Sequence, residues 1–512
     1  MTTKLLLDGT SLRPESLFPV LRGEAVEIEL APSALERVVA ARKVVDDHVA
    51  AGDVVYGLTT GFGKLKSVAI ASEDLEELQR NLVLSHCCGF GDSMPLPEVR
   101  TTQVLRLNGL LRGHSGVRVE TVEFLARVFN KGFVPDVPQQ GSVGASGDLA
   151  PLAHMAAAYM GSGRAWVDGT RVAAADGLRS VGEEPLVLGA KEGLALINGT
   201  EVMKATGLDV YRRAVNLSKA ADILASATLD ALFGSLKPFD PRLAELKGHA
   251  GHARTSSNVR KCLANSEVLA SHAGCDRVQD PYSLRCVPQV HGAFKACLEH
   301  VGTILAGEVN GVTDNPVLFP DTGEVISAGQ FHGHPVSMVL DYLGMGLATL
   351  ANISERRIEQ MVNPDLSGLP AFLAADAGLN SGLMIAQVAA AALASENKVH
   401  AHPASVDTIP TSANQEDHVS MGVTAARKAR TICENTESVL AIEWLAAAQA
   451  RSFHPELRGG DAVEAATTTL RARVPSIDRD RFLYDDLQAT RELLVGGELV
   501  SAVEGAVGGL ES

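Results

Sequence analysis

Aromatic side chains are scarce in this sequence: 2 Trp, 6 Tyr and 14 Phe in 512 residues, or 4%. Base-stacking platforms need more than that. Positive charge is also short. Forty-five Lys and Arg stand against 61 Asp and Glu, a net charge of −16. That balance argues against nucleic acid or an anionic membrane as a partner. Cysteine is sparse and unpatterned, at 87, 88, 262, 275, 286, 297 and 433. An odd count without C-x-x-C excludes a disulfide framework and reads as reduced thiols in the cytoplasm. Long hydrophobic runs are missing too. The apolar part of "MTTKLLLDGT" is too short for a signal peptide. "GLMIAQVAAAALA" (382–394) is too short to span a bilayer, and Asn380 and Glu396 flank it. No internal repeat or low-complexity linker is present. A cytoplasmic chain with no membrane contact is expected.

What is there is an ordinary globular balance, 46% hydrophobic and 21% charged, in a chain long enough for a large core. The first hundred residues mix short apolar runs with Gly-rich turns. Beyond them the helical period dominates. It predicts long helices over about 205–234, 292–309, 335–361, 379–398 and 418–451. "NSGLMIAQVAAAALASENKVHA" shows little polar face, which predicts burial on nearly all sides. Short β pieces are expected near 163–173 and 317–326. The fold class is therefore mainly α: a long-helix bundle core with a smaller mixed N-terminal region. We expect an N-terminal domain over 1–112, holding a mobile loop around Tyr56, and a helical-bundle domain over 113–512. Helices this apolar predict a bundle completed by other subunits.

One stretch asks for more than scaffold. "GSVGASGDLAPLAHM" (141–155) puts glycine at 141, 144 and 147 directly before a helical run. The bland reading is a helix start capped by Asp148 or Ser146, with Pro151 in the first turn. A serine hydrolase fails, because G-x-S-x-G needs glycine where Asp148 stands. A phosphate loop fails, because no Gly-Lys-Ser/Thr follows. Smallness offers a third reading. In a sharply bent backbone the amide nitrogen of Gly147 can reach the carbonyl carbon of Ala145. Loss of two waters then closes a five-membered ring and turns Ser146 into a dehydroalanine. The product, 4-methylidene-imidazol-5-one, is an electrophile built from backbone. The positive end of the following helix would favour negative charge on it.

Further motifs stand along the chain: "VVYGLTTGFG" (54–63), "NLVLSHCCGFG" (81–91), "KEGLALINGT" (191–200), "QDPYSLRCVPQVHG" (279–292), "VNGVTDNPVLF" (309–319), "AGQFHGHPV" (328–336) and "VDTIPTSANQEDHVSMG" (406–422). Together with the Ala-Ser-Gly block, and in the same order, they resemble the aromatic amino acid ammonia-lyases from about Leu5 to the last helices. The resemblance implies a carbon–nitrogen lyase of that fold, a ring formed autocatalytically from Ala145, Ser146 and Gly147 that captures the substrate amine, and no required metal. It also implies a homotetramer with active sites shared between chains.

Site residues follow by position. Tyr56 matches the family's general base, in a loop where Gly57, Gly61 and Gly63 suggest a lid. A free phenol titrates near pH 10, so such a base must be tuned by its surroundings. Asn198 matches the asparagine near the ring, although Asn-Gly alone reads as a turn. By the same resemblance Gln279 and Arg285 match substrate-binding positions and Tyr282 a catalytic one. Arg285 offers a planar fork for a carboxylate, and Tyr282, three residues earlier, shares its face if the segment is helical. Phe331 matches an aromatic lining position. Glu201 and Gln330 depart from the commoner Gln and Asn. His332 and His334 have strand-ligand spacing, but no acidic or Cys partners complete a metal set.

His86 in "LSHCCG" and Glu416 in "NQEDH" resemble the histidine-specific branch of the family. A buried carboxylate needs a donor; the imidazole N–H of L-histidine is one and a phenyl ring is not. The alternatives are a phenylalanine or tyrosine lyase, or an aminomutase on the same scaffold. The fumarase-like lyases are a remoter rival: "GDSMPLPEVR" (91–100) lacks their Lys and Asn. A non-catalytic helical assembly protein would keep Ala145–Gly147 uncyclised.

Overall fold

A computed structural model describes residues 2–61 and 70–512. Gly63, expected in the lid, lies outside the described residues. Helix accounts for 59% of the chain, so the mainly α expectation holds. The long periodic runs become helices Glu201–Ala231, Val287–Glu308, His334–Val362, Met384–His400 and Gly422–Arg451. The predicted β pieces are hairpins, Arg164–Val167 with Thr170–Ala173 and Val317–Phe319 with Glu324–Ile326. Each turns where glycine or a short polar run breaks the alternation.

Two compact units divide the chain. The first comprises Met1–Asp209, Gly302–Asp341 and Pro403–Arg427. It opens with a parallel pair of strands, Thr3–Leu7 and Val26–Leu30, each alternating exposed and buried side chains, the period of a half-buried sheet. Helices Pro32–Ala51, Leu75–His86, Leu96–Leu110 and Val119–Asn130 follow. Pro32 starts the first of these and Gly52 ends it in the left-handed conformation, the usual asymmetry of helix ends. These helices were not separated by the sequence pattern. Leu96–Leu110 is buried at nearly every position, polar ones included, so it carries no amphipathic stripe to read. An apolar cluster of Val44, Val45, Leu58, Leu75, Ala190 and Leu318 is buried in this unit. It anchors the segment two residues beyond Tyr56.

The second unit comprises Val210–Val301, Tyr342–His402 and Lys428–Ser512. Its interior carries ion pairs. Arg357 and Glu443, both fully buried, meet at 2.5 Å, and a second Arg357 bond of 2.8 Å makes the fork bidentate. Asp222 accepts from His291 at 2.7 Å and lies 3.1 Å from Lys295. Such pairs satisfy one another where water cannot reach.

The expectation that Met384–His400 is buried on nearly all sides is not met within one chain. Only Ala386, Ala390, Ala394 and Asn397 are buried, a single row at i, i+4 and i, i+3 spacing. Ile385 and Val388 stay 66% and 52% exposed. Among the described residues, helix His334–Val362 alone is long and apolar enough to cross a membrane, and 61% of its apolar window is buried inside the protein.

Candidate active site

Small residues and a long-range hydrogen bond shape the Ala-Ser-Gly segment. Ser146 and Gly147 both have positive φ, 49° and 78°. The Gly147 N–H donates to the Gly144 carbonyl at 3.3 Å, and the Asp148 N–H donates to the Gly199 carbonyl at 2.6 Å. Gly147 and Gly199 form an isolated bridge. A Cβ on Gly147 would collide with the Gly199 carbonyl oxygen, so only glycine fits. Helix Leu149–Tyr159 follows immediately, with Pro151 in its first turn. The segment is thus bent, free of side-chain bulk at Gly147 and set at a helix N-terminus. These are the requirements for ring closure, and the residues present fit the group.

The capping expectation needs a correction. Asp148 occupies the N-cap position of Leu149–Tyr159, yet its side chain makes no cap bond there, and neither does Ser146. Instead its Oδ2 accepts from the N–H groups of Val202 and Met203, at 2.8 and 2.9 Å. Asp148 therefore caps the helix Glu201–Ala231. The free N–H groups at this second helix start take the carboxylate instead of those of its own helix. Burial pushes its carboxyl up to about 7. The Met203 and Val202 N–H groups act against that rise, and the nearby Glu201 charge adds to it.

A cavity of 540 Å³ opens over Ser146, within the range of small-molecule sites. It is lined by Tyr56, Ser146, Leu194, Asn198, Asn315, Ser327, Ala328, Phe331, Gln415 and Glu416. A second cavity of 270 Å³ is bounded by His86, Cys88, Ser142, Ala145, Thr411 and Glu416 among others. Glu416 and the Ala-Ser-Gly segment line both. Ser146 Oγ donates to Glu416 Oε1 at 3.2 Å, and Thr411 Oγ1 donates to Glu416 Oε2 at 2.8 Å. His86 Nδ1 lies 2.7 Å from the Leu82 carbonyl. That fixes the proton on Nδ1 in the neutral ring and leaves Nε2 an acceptor.

Asn198 ends the short helix Glu192–Ile197. Its Nδ2 donates to Asp314 Oδ1 at 3.3 Å and to the Asn315 carbonyl at 3.1 Å. Its Oδ1 is buried without a partner, in a residue that lines the cavity. Lys191 holds Asp314 at 2.6 Å, with both side chains essentially unexposed. Burial lowers the Lys191 pKa, against the pull of Asp314. Lys191→Ala strands the Asp314 carboxylate, and removing one partner of a buried pair costs about 3–5 kcal/mol. The expected result is a lower chemical-denaturation midpoint. An unchanged midpoint would show that Asp314 does not need this cation.

Sequence reasoning did not single out Leu194, Asn315, Ser327, Ala328, Gln415 or Thr411. Asn315 and Gln415 stand inside "VNGVTDNPVLF" and "NQEDHVSMG", so the motifs were visible and only their inward direction was not. Gln279, Tyr282 and Arg285 belong to the other unit and are not among the residues lining these cavities. There Tyr282–Arg285 is a single helical turn. The Arg285 guanidinium lies 4.5 Å from the Tyr282 ring centroid, so the same-face expectation holds. Tyr282 is 69% exposed.

His332 and His334 gather with His418 instead of with acids. Ring centroids lie 5.7–5.9 Å apart, and His332 Nε2 is 3.2 Å from the His418 carbonyl oxygen. Burial, then the two neighbouring histidines, lowers the His334 pKa. Among the described residues no group of three His, Cys, Asp or Glu is arranged to hold a metal. The cluster fastens the segment carrying Phe331 to the one carrying Glu416.

This geometry has known counterparts. Residues 12–472 match the sequence profile of the family described as aromatic amino acid lyase. The chain belongs to that family. The histidine ammonia-lyase of Myxococcus xanthus is 50% identical over 98% of this chain and 99% of its own. The crystal structure of histidine ammonia-lyase from Trypanosoma cruzi has a TM-score of 0.92 at 41% identity, covering 99% of this chain and 96% of that one. Tyrosine aminomutase from Streptomyces globisporus gives 0.94 at 34% identity, over 99% and 100%. Aromatic amino acid lyases and aminomutases therefore share this scaffold, and membership settles a carbon–nitrogen lyase fold before it settles a substrate.

Proposed function

We propose that this chain is a histidine ammonia-lyase, which eliminates ammonia from L-histidine without oxidation and gives trans-urocanate. The observation that carries the reading is the single cavity shared by Tyr56, Ser146, Asn198, Phe331 and Glu416, in a chain 50% identical to a histidine ammonia-lyase over nearly its full length. A 4-methylidene-imidazol-5-one formed from Ala145, Ser146 and Gly147 supplies the electrophile that makes the amine a competent leaving group.

The chain's own groups do the rest. Tyr56, as phenolate, removes the β-proton; the C–H electron pair becomes the new double bond and the C–N pair leaves with nitrogen. Asn198 Oδ1, unpartnered and fixed by Asp314 on its other end, accepts from the substrate ammonium. Phe331 lines the cavity. Glu416 accepts from the imidazole N–H, and His86 Nε2 offers a second acceptor at the adjoining cavity. Arg285, Tyr282 and Gln279 receive the carboxylate end from a neighbouring subunit in a homotetramer with shared sites. Exposed Met338, Tyr342, Met345, Ile385 and Val388 on the long helices support such an assembly, since apolar patches of that kind mark interfaces. Seven free cysteines support a cytoplasmic location.

The test is an assay for ultraviolet-absorbing acrylate product with histidine, phenylalanine and tyrosine. Histidine is expected to win, and a preference for either of the others would overturn the substrate assignment. Glu416→Gln sharpens it. A hydrogen bond to a charged group is worth about 1.5–3 kcal/mol, roughly 10- to 150-fold. Phenylalanine gains nothing from the carboxylate and leaves its Oε1 without a substrate donor, with Thr411 still bonded to Oε2. The kcat/KM ratio of histidine over phenylalanine is therefore expected to fall in the variant. A ratio that holds or rises would remove Glu416 as the imidazole reader.

A further inference from the structure

Glu201 stands where the motif more often has Gln, and nothing in the mechanism above uses it. It is fully buried, and so are the groups around it. Its Oε1 accepts from Thr313 Oγ1 at 2.8 Å and from Lys204 Nζ at 3.3 Å. Its Oε2 lies 3.4 Å from Arg106 Nη1, with side-chain exposures of 0% and 2%. Burial alone would raise the Glu201 pKa; Arg106 and Lys204 outweigh it and hold the carboxylate ionised.

Arg106 does a second thing. Its Nη1 donates to the Asn198 carbonyl at 2.7 Å. The next peptide carbonyl, that of Gly199, accepts from Asp148 N–H at 2.6 Å and occupies the space a Cβ on Gly147 would need. A side chain at 199 would collide with the Glu201 carboxylate, so Glu201 also walls the outer side of this turn. The chain of contacts is short: Glu201 to Arg106, Arg106 to the Asn198 carbonyl, and the Gly199 carbonyl to Gly147. Gly147 supplies the nitrogen that must meet the Ala145 carbonyl carbon. Ring closure needs that nitrogen held in line with the carbonyl carbon it attacks.

We propose that Glu201 and Arg106 are positioning residues for the electrophile: the buried pair clamps the Asn198–Gly199 turn against Gly147 and so drives cyclisation of 145–147. This rests on the electrophile reading. In the reaction the pair touches neither substrate nor reacting atoms. The chemistry itself stays balanced within the segment. The Gly147 nitrogen bonds to the Ala145 carbonyl carbon, that oxygen leaves as water with the amide protons of Gly147 and Ser146, and Ser146 loses its hydroxyl and α-proton as a second water.

The experiment compares full-length wild type, Glu201→Ala, Glu201→Gln, Arg106→Met and Thr313→Val. Mass spectrometry of the peptide spanning 141–160 gives ring content per folded chain, and circular dichroism gives the fold. Wild type is expected to have lost two waters. Folded Glu201→Ala and Arg106→Met are expected to keep most of their Ala145–Gly147 unmodified. Glu201→Gln, which retains an acceptor oxygen, should fall between. Where cyclised chains are purified, kcat per ring should stay near wild type, because the pair acts before turnover. A merely structural role would lower yield and melting temperature but leave every folded chain cyclised. Full water loss in folded Glu201→Gln, Glu201→Ala and Arg106→Met would therefore overturn the proposal. If the alanine and methionine variants do not fold, Glu201→Gln and Thr313→Val decide: full ring content in both overturns it, and reduced content in either supports it. Absence of water loss in the wild type would overturn the electrophile reading, and the positioning role with it.

Discussion

Ser146→Ala is expected to abolish turnover and leave the helical fold intact. The substitution removes one oxygen. In the structure that oxygen makes a 3.2 Å bond to Glu416 at the rim of the cavity, so little packing is lost. What disappears is the only route to a dehydroalanine between Ala145 and Gly147. Without an electrophile the amine must leave from an unactivated carbon, and among the described residues lining the cavity none offers a substitute electrophile: besides residue 146 the set is Tyr, Asn, Ser, Gln, Glu and apolar groups. Activity should fall to the assay background, while circular dichroism and melting temperature stay near wild type. Borohydride, which reduces the exocyclic methylidene, should inactivate the wild type for the same reason. Near-wild-type turnover in Ser146→Ala would end the electrophile hypothesis.

Tyr56→Phe carries the second large effect. Loss of a general base typically costs roughly 10²–10⁴-fold in rate. Tyr56 lines the same cavity as Ser146 and stands two residues before Leu58, which the apolar cluster pins. The variant should keep its water loss and ultraviolet absorbance, because Tyr56 takes no part in ring closure. It should bind histidine yet turn it over slowly, with kcat reduced far more than KM is changed. In the wild type, the rate should rise as pH increases toward the ordinary range of a phenol. The variant should lose that rise. A phenylalanine variant with the wild-type rate and pH profile would assign the proton to another base.

The long helices were legible because their apolar residues recur at the helical period, and the two hairpins because glycine and polar turns interrupt short alternating runs. Leu96–Leu110 was not legible: it is buried all round, and a helix without a polar face has no period to see. Met384–His400 failed in the opposite sense. Its first two-thirds are almost wholly apolar, but in one chain only the Ala386–Ala394 row packs inward; composition alone does not say which apolar face turns to the core. In the site, Tyr56, Ser146, Asn198, Phe331 and Glu416 were found through their motifs and do share one cavity. Periodicity alone would have left Tyr56 and Asn198 as turn residues. Asp148 was read as a local cap because local reading sees only its own helix; its true partners are the N–H groups of residues 202 and 203. The Arg106–Glu201 and Lys191–Asp314 pairs join residues 95 and 123 positions apart. Nothing local announces such pairs, since either partner alone reads as an ordinary surface charge.

The central claim is that residues 145–147 become an electrophile. Peptide mass spectrometry across 141–160 of the active protein tests it most directly. The expected mass is lower by two waters, with fragments localising the loss to Ala145–Gly147. A fully active preparation whose peptide carries unmodified Ala-Ser-Gly would contradict it.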